Sequence, residues 1–413
     1  MQKIQLLFKT IFRRNKTKQV NGEGKMLYLE SIRGLAALSV VWAHILATYI
    51  PAAMVGPGYN VAGRGTAFSS LFYGFPFGFT EAGHFAVVLF FTLSGFVLSF
   101  KYFKTHNITE LQKQAAKRYF RLAIPVFATV MVSWVLISNG AFSHTAKIVE
   151  ITGSPEAGRI FNFAPTLWSA LYDATIGVLV NGSTQYNPVL WTMPVEFIGS
   201  FVLFGFLTLV GGLKYRWIFY IASVVLLNHS YYTCFILGAV LADIATNTKL
   251  IERVREKVSV VYVYTMLLVV TLMASFPYPD RGADGQRFQT IPFPGVDAGT
   301  SYVLWHFIAA FFLLGIILVR KEIQSILSSK VLVFIGGLSF SLYLTHYLVL
   351  HSLGDTVFVH LSHNLGLGLA ASIAAILVVV VTAVVSIIWK KYVDDMSVRV
   401  SRSMARILLQ SRS

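Results

Sequence analysis

The chain has 413 residues, 55% of them hydrophobic and only 13% charged, with a mean hydropathy of +0.66. Soluble globular domains carry about 25% charged residues, so this composition excludes an ordinary soluble enzyme and specifies an integral membrane protein. A formal net charge of +16 points either to nucleic acid or to membrane topology, and its distribution decides between them. The single cysteine, Cys234, excludes an internal disulfide and a cysteine-based metal site. It lies in an apolar run, where a buried and inert thiol is expected.

Residues 1–25 lack a continuous apolar core. Ile4, Leu7, Phe8, Ile11 and Phe12 form a helical stripe beside Lys3, Lys9, Arg13 and Arg14, the pattern of a short helix lying in the inner membrane surface. Ten later stretches are predicted to cross a bilayer about 30 Å thick: 29–50, 83–100, 120–139, 188–210, 215–229, 231–247, 258–276, 300–319, 331–351 and 367–389. The connection 140–187 carries an apolar piece, Leu167 to Val180, too short to span and read as an interfacial or re-entrant helix. With both termini cytoplasmic, the inner segments hold 28 of the 34 Lys and Arg and the outer ones five. That asymmetry is the positive-inside pattern, so the charge reports topology and not nucleic acid. The expected fold is all-α and polytopic. A basic segment, 1–25, precedes a transmembrane domain, 26–393, and a basic cytoplasmic tail, 394–413.

Polar residues at membrane depth mark the functional candidates. Arg33 and His44 stand eleven residues apart in the first span, three helical turns plus about 20°, so they share a face about 16 Å apart. Ser94-Gly95 in the second span either packs a neighbouring helix or admits a ligand. Arg118 and Arg121 share a face at the inner edge of the third span. They serve either as positive-inside anchors or, with Arg33, as a clamp for phosphate. Glu196 is a carboxyl about 12 Å into the fourth span, beside Pro194, which is expected to loosen the helix. In the ninth span Ser339, Tyr343 and His346 share a face, and His346 lies at the depth of His44 with Glu196 a few ångströms lower. His84 and His306 lie near the outer surface and read as interface histidines. No histidine pair has metal-ligand spacing, and there is no Gly-x-Ser-x-Gly elbow or phosphate-cradling glycine loop.

Five motifs in this order resemble the membrane-bound acyltransferase family 3, O-acyltransferases that decorate surface polysaccharides. They are Leu29-Glu-Ser-Ile-Arg33-Gly-Leu-Ala through His44, Phe90-Phe-Thr-Leu-Ser94-Gly95-Phe, Arg118-Tyr-Phe-Arg121, Trp191-Thr-Met-Pro-Val-Glu196, and Gly337-Leu-Ser339-Phe-Ser341-Leu-Tyr343-Leu-Thr-His346. The family usually has Asp-Gly before the first Arg, where this chain has Glu30-Ser31-Ile32. The resemblance implies an acyl-CoA donor, acetyl-CoA in the simplest case, bound from the cytoplasm without a tightly bound cofactor. Transfer would reach a hydroxyl of a glycan or related acceptor on the outer side of the plasma membrane. Arg33, Arg118 and Arg121 would hold the donor, and His44, Glu196 and His346 would be catalytic. Ser94, Gly95, Ser341 and Tyr343 would line the site. The competing class is a transporter or flippase for a lipid-linked or glycan substrate, which also needs polar residues at mid-membrane.

Overall fold

The computed structural model of the protein describes residues 26–56, 60–73, 77–277 and 291–410. The surface helix expected in 1–25, and most of the predicted outer segment 277–299, lie outside them. The described residues form helices and no strand. The main ones are α1 Leu27–Tyr49, α2 Gly83–Thr105, α3 Ile108–Ser138, α4 Thr192–Val210, α5 Arg216–Leu227 and α6 Tyr232–Asn247. They are followed by α7 Val260–Ala274, α8 Ala298–Val319, α9 Lys330–Val349, α10 Leu367–Trp389 and α11 Asp395–Gln410.

Each of the ten predicted spans falls on one of α1 to α10. By length and apolarity, however, seven helical stretches among the described residues can cross a membrane, and α6 with the helix Leu250–Lys257, bent 82° from it, makes an eighth. α5 and α7 have 12 and 15 residues, about 18 and 22 Å at 1.5 Å per residue, short of the hydrocarbon thickness.

Glycines set two close helix crossings. A side chain at Gly34 would meet the Gly336 nitrogen at 2.6 Å, and one at Gly336 would strike the Glu30 carbonyl. Only residues without a Cβ let α1 and α9 touch backbone to backbone in this way. His44 lies ten residues beyond Gly34 and His346 ten beyond Gly336. The two helices run parallel, so both imidazoles rise to one height on adjoining faces. The second crossing joins α2 to α6, with Gly95 against the Phe235 backbone and Gly238 against Thr92 and Phe96. Of the two sequence readings for Gly95, packing is the one the structure supports; no ligand-facing surface is left there.

Two local expectations change. Pro194 stands in the first turn of α4, after the 3-10 turn Pro188–Trp191. A first-turn residue has no intrahelical N–H bond to lose, so the proline leaves the helix intact. The predicted outer loop 352–366 is helical: α9 passes through a π-turn, Leu350–Gly354, into the helix Asp355–Leu365. The piece 167–180 is a short helix interrupted by a π-turn, Asp173–Gly177, which leaves Trp168 81% exposed. The polar start of α3 packs on α11, and both α3, with 31 residues, and the continuous stretch Leu367–Leu409, with 43, are longer than a bilayer requires.

Candidate active site

The site is built in two layers along α1 and α9. The lower layer is a cavity of about 170 Å³ between α1, α2, α3, α4 and α9. Arg33, Arg118, Arg121, Glu196, Ser94, Ser339 and Tyr343 supply its polar walls, and Val87, Phe90, Phe91, Leu122, Met193 and Phe340 its apolar ones. Arg118 forms an ion pair with Glu196 and donates a second bond to the Glu196 carbonyl at 3.2 Å. Ser94 Oγ donates to the same carboxylate at 2.8 Å. Arg121 pairs with Asp394, donates to Ser397 Oγ at 2.6 Å and stacks over Phe340. Tyr343 donates to the Val189 carbonyl at 2.8 Å and lies 2.9 Å from the Thr192 hydroxyl.

Arg33 differs from its neighbours. Among the described residues its guanidinium makes no hydrogen bond or ion pair, although it faces the cavity. A part-buried cation with no carboxylate in contact is costly unless an anion arrives to meet it. Arg118 Nε is likewise buried without a partner. The lower layer therefore presents donors suited to a phosphate or carboxylate ligand.

The upper layer is compact. His44 Nδ1 lies 2.5 Å from Glu156 Oε1, and the His44 ring is 5.3 Å from that of His346 and 5.1 Å from that of Tyr347. His346 Nδ1 donates to the Leu342 carbonyl at 3.0 Å, which leaves Nε2 as a buried lone pair with no partner. The Tyr347 hydroxyl also faces the Glu156 carboxylate closely enough to influence its charge. Behind it, His351 in the π-turn meets Asp355 at 3.0 Å, and Tyr49 and Thr145 also bond that carboxylate. The layers adjoin, for Tyr343 lines the cavity and its ring stands 6.0 Å from His346.

Glu156 reaches His44 because its segment is fastened to the end of α1. Ser154 Oγ donates to the Ala47 carbonyl at 2.7 Å, and Thr152 Oγ1 to that of Thr48 at 3.1 Å. The 3-10 turn Ala157–Arg159 then closes the loop. Burial alone would raise the Glu156 carboxyl; the facing His44 imidazole, with help from His351 and the Tyr347 hydroxyl, holds it below the usual carboxylate range.

The candidate residues from the sequence thus divide. Arg33, Arg118, Arg121, Ser94, Tyr343 and Glu196 gather round the cavity, whereas His44 and His346 meet above it. Glu196 is not the carboxylate beside the imidazoles; Arg118 and Ser94 occupy it instead, and Glu156 takes that place. Ser341 is fully buried and does not line the cavity. His84 and His306 join each other, Nδ1 to Nδ1 at 2.7 Å, among the rings of Tyr302 and Tyr231. Glu156 was invisible in the sequence because it sits in a polar turn, Thr152-Gly-Ser-Pro-Glu156, 112 residues from its partner.

Comparison with known proteins agrees with this arrangement of motifs. Residues 26–389 match the family 3 acyltransferase domain. A protein of Shigella phage Sf6 named O-acetyl transferase is 29% identical over 131 residues, 30% of this chain and 34% of that protein. This chain therefore matches about a third of the phage protein's length. A protein of Cochliobolus lunatus named acyltransferase clz18 is 24% identical over 328 residues, 66% of this chain and 69% of that protein. No solved structure matches. A family match over most of the chain, on a helical framework with several apolar helices long enough to span a bilayer, places it: the protein belongs to acyltransferase family 3 and is a membrane acyltransferase.

Proposed function

We propose that the protein moves an acyl group, acetyl in the simplest case, from cytosolic acyl-CoA to a hydroxyl of a glycan or related acceptor reached from the outer side of the plasma membrane. The observation that carries this reading is the stacking of the two layers. A cation-lined cavity suited to a phosphorylated thioester donor opens beneath an imidazole whose Nδ1 is held by a carboxylate.

His44 Nε2 is the base. As the acceptor oxygen attacks the thioester carbonyl carbon, its proton passes to Nε2; the new C–O bond forms and the C–S bond breaks. The same proton then goes to the departing sulfur, releasing CoA as the thiol. General-base help of this kind is worth about 10²–10⁴ in rate. Glu156 is a positioning residue that fixes the ring and balances the imidazolium. His346 Nε2, a lone pair beside His44, accepts a hydrogen bond from the acceptor and orients it. Arg33 and Arg118 hold the donor, and Arg121 braces the cavity floor through Asp394.

The test uses purified protein in proteoliposomes, with radiolabelled acetyl-CoA on the face that carries α11 and glycan acceptors on the opposite face. Label is expected on the acceptor only in that orientation. Label that stays on CoA with every glycan offered, or a His44→Ala protein as fast as the wild type, removes the reading.

A further inference from the structure

A second cavity, of about 350 Å³, lies between the start of α3 and α11. Lys113 and Lys117 face it from α3, and Arg402 and Arg406 from α11, over a floor of Ala405 and Leu409. Each pair is spaced i, i+4, so two turns of like charge on one helix oppose two turns on the other. Glu110 lies on the same helix but is engaged by Lys101 at 2.8 Å and Lys113 at 3.2 Å. Lys117, Arg402 and Arg406 have no ion pair or hydrogen bond among the described residues. Two helices that pack with their cations together, and with no carboxylate between them, leave a site whose repulsion a multiply charged anion would reverse.

Its place in the fold narrows the choice. Lys117 is one residue from Arg118 and one turn from Arg121, both of which line the first cavity. Arg121 in turn bonds Asp394 and Ser397, at the start of the helix that carries Arg402. The basic cavity therefore lies further along α3 from the guanidinium cavity, away from the imidazole layer, and Arg121 ties the two through its bonds to Asp394 and Ser397. We infer that it is a phosphate-binding site, filled by the nucleotide phosphates of the donor or by the headgroup of an anionic lipid. The donor branch rests on the function proposed above. The apolar floor suits either an adenine ring or the glycerol end of a lipid.

Binding is measured on the full chain, first in neutral detergent by calorimetry with adenosine 3′,5′-bisphosphate. It is then measured in nanodiscs of phosphatidylcholine with and without phosphatidylglycerol, scoring retained lipid by native mass spectrometry. Arg402→Ala/Arg406→Ala and Lys117→Ala are compared with Arg253→Ala/Lys257→Ala, which removes equal charge from the helix Leu250–Lys257. Weakening of bisphosphate binding by about tenfold or more in the first two variants only, as expected for lost charge-assisted contacts, establishes a nucleotide-phosphate site. Loss of retained phosphatidylglycerol in the same variants, with the nucleotide unaffected, establishes a headgroup site. If neither ligand distinguishes those variants from the control, the inference is overturned. Should Arg402→Ala/Arg406→Ala fail to fold, Lys117→Gln with Arg406→Gln gives the same comparison with less loss of packing. Because no step depends on turnover, bisphosphate binding without acyl transfer overturns the proposed function alone. Acyl transfer with both ligands indifferent to the variants overturns this inference alone.

Discussion

The two layers of the site use the same raw material, charged side chains inside an apolar bundle, in opposite ways. In the lower layer the guanidinia of Arg118 and Arg121 each hold a carboxylate, while Arg33 stands by itself and a cavity remains open. In the upper layer His44, Glu156, Tyr347 and His346 close on one another. A cavity lined with spare donors suits binding, because an incoming anion completes the partnerships. A closed imidazole–carboxylate pair with one lone pair left over suits proton transfer, because the ring is already oriented. Proximity of ionisable groups therefore says little about their role; what matters is which hydrogen-bonding capacity is still unused.

Substitutions that separate kcat from donor affinity break or sharpen this division. The largest effect is expected for His44→Ala, a loss of about 10²–10⁴ in kcat with CoA affinity retained. An equal loss of CoA affinity in calorimetry would merge the two layers into one. Next comes Glu156→Gln, with kcat lowered about 100-fold, the order seen when a carboxylate that orients a ligand or base is lost. Combined with His44→Ala it should cost almost nothing further, since the pair acts as a unit; additive losses in the double variant would mean that Glu156 works elsewhere.

Donor affinity should respond to the lower layer instead. Arg33→Ala is expected to raise the KM for acyl-CoA about tenfold or more, as the loss of a hydrogen bond to a charged group predicts, with kcat little changed. Glu196→Gln should act in the opposite direction and lower KM, because it removes a negative charge from the cavity and frees the Arg118 guanidinium for the donor, and it should leave the pH dependence of kcat in place. A Glu196→Gln protein whose kcat falls as far as that of Glu156→Gln would return Glu196 to the chemistry.

The smallest effect concerns stability against pH. Since the folded Glu156 carboxyl is held below the usual range around 4.5, its ionised form favours the folded state above that range. The advantage shrinks as the pH drops through the depressed value. The difference in Tm between wild type and Glu156→Gln should narrow as the pH is lowered below the usual carboxylate range and through the depressed value. A gap that widens on acidification would show that the carboxyl is raised, not lowered, by its surroundings.

Much of this molecule was written along the chain. Apolar runs and the sided distribution of Lys and Arg gave an all-helical membrane fold, because a bilayer admits few other ways to satisfy a backbone. The eleven-residue spacing of Arg33 and His44 gave the vertical order of a cation below an imidazole, because helix rise is fixed. The motifs gave the family, which the match over residues 26–389 then showed. Depth, however, is a one-dimensional quantity. Which residues at one depth face each other is decided by where helices cross, and the glycine contacts of Gly34 and Gly336 settle that for His44 and His346. Glu196 and the histidines came out at similar depths and different partners for this reason. Glu156 lay outside any reading by depth, since it is delivered by a turn tied to α1 through Ser154 and Thr152. The span count shows the same boundary: composition located α5 and α7, but only the folded chain set their lengths at 12 and 15 residues, because packing and turns, not apolarity, end a helix.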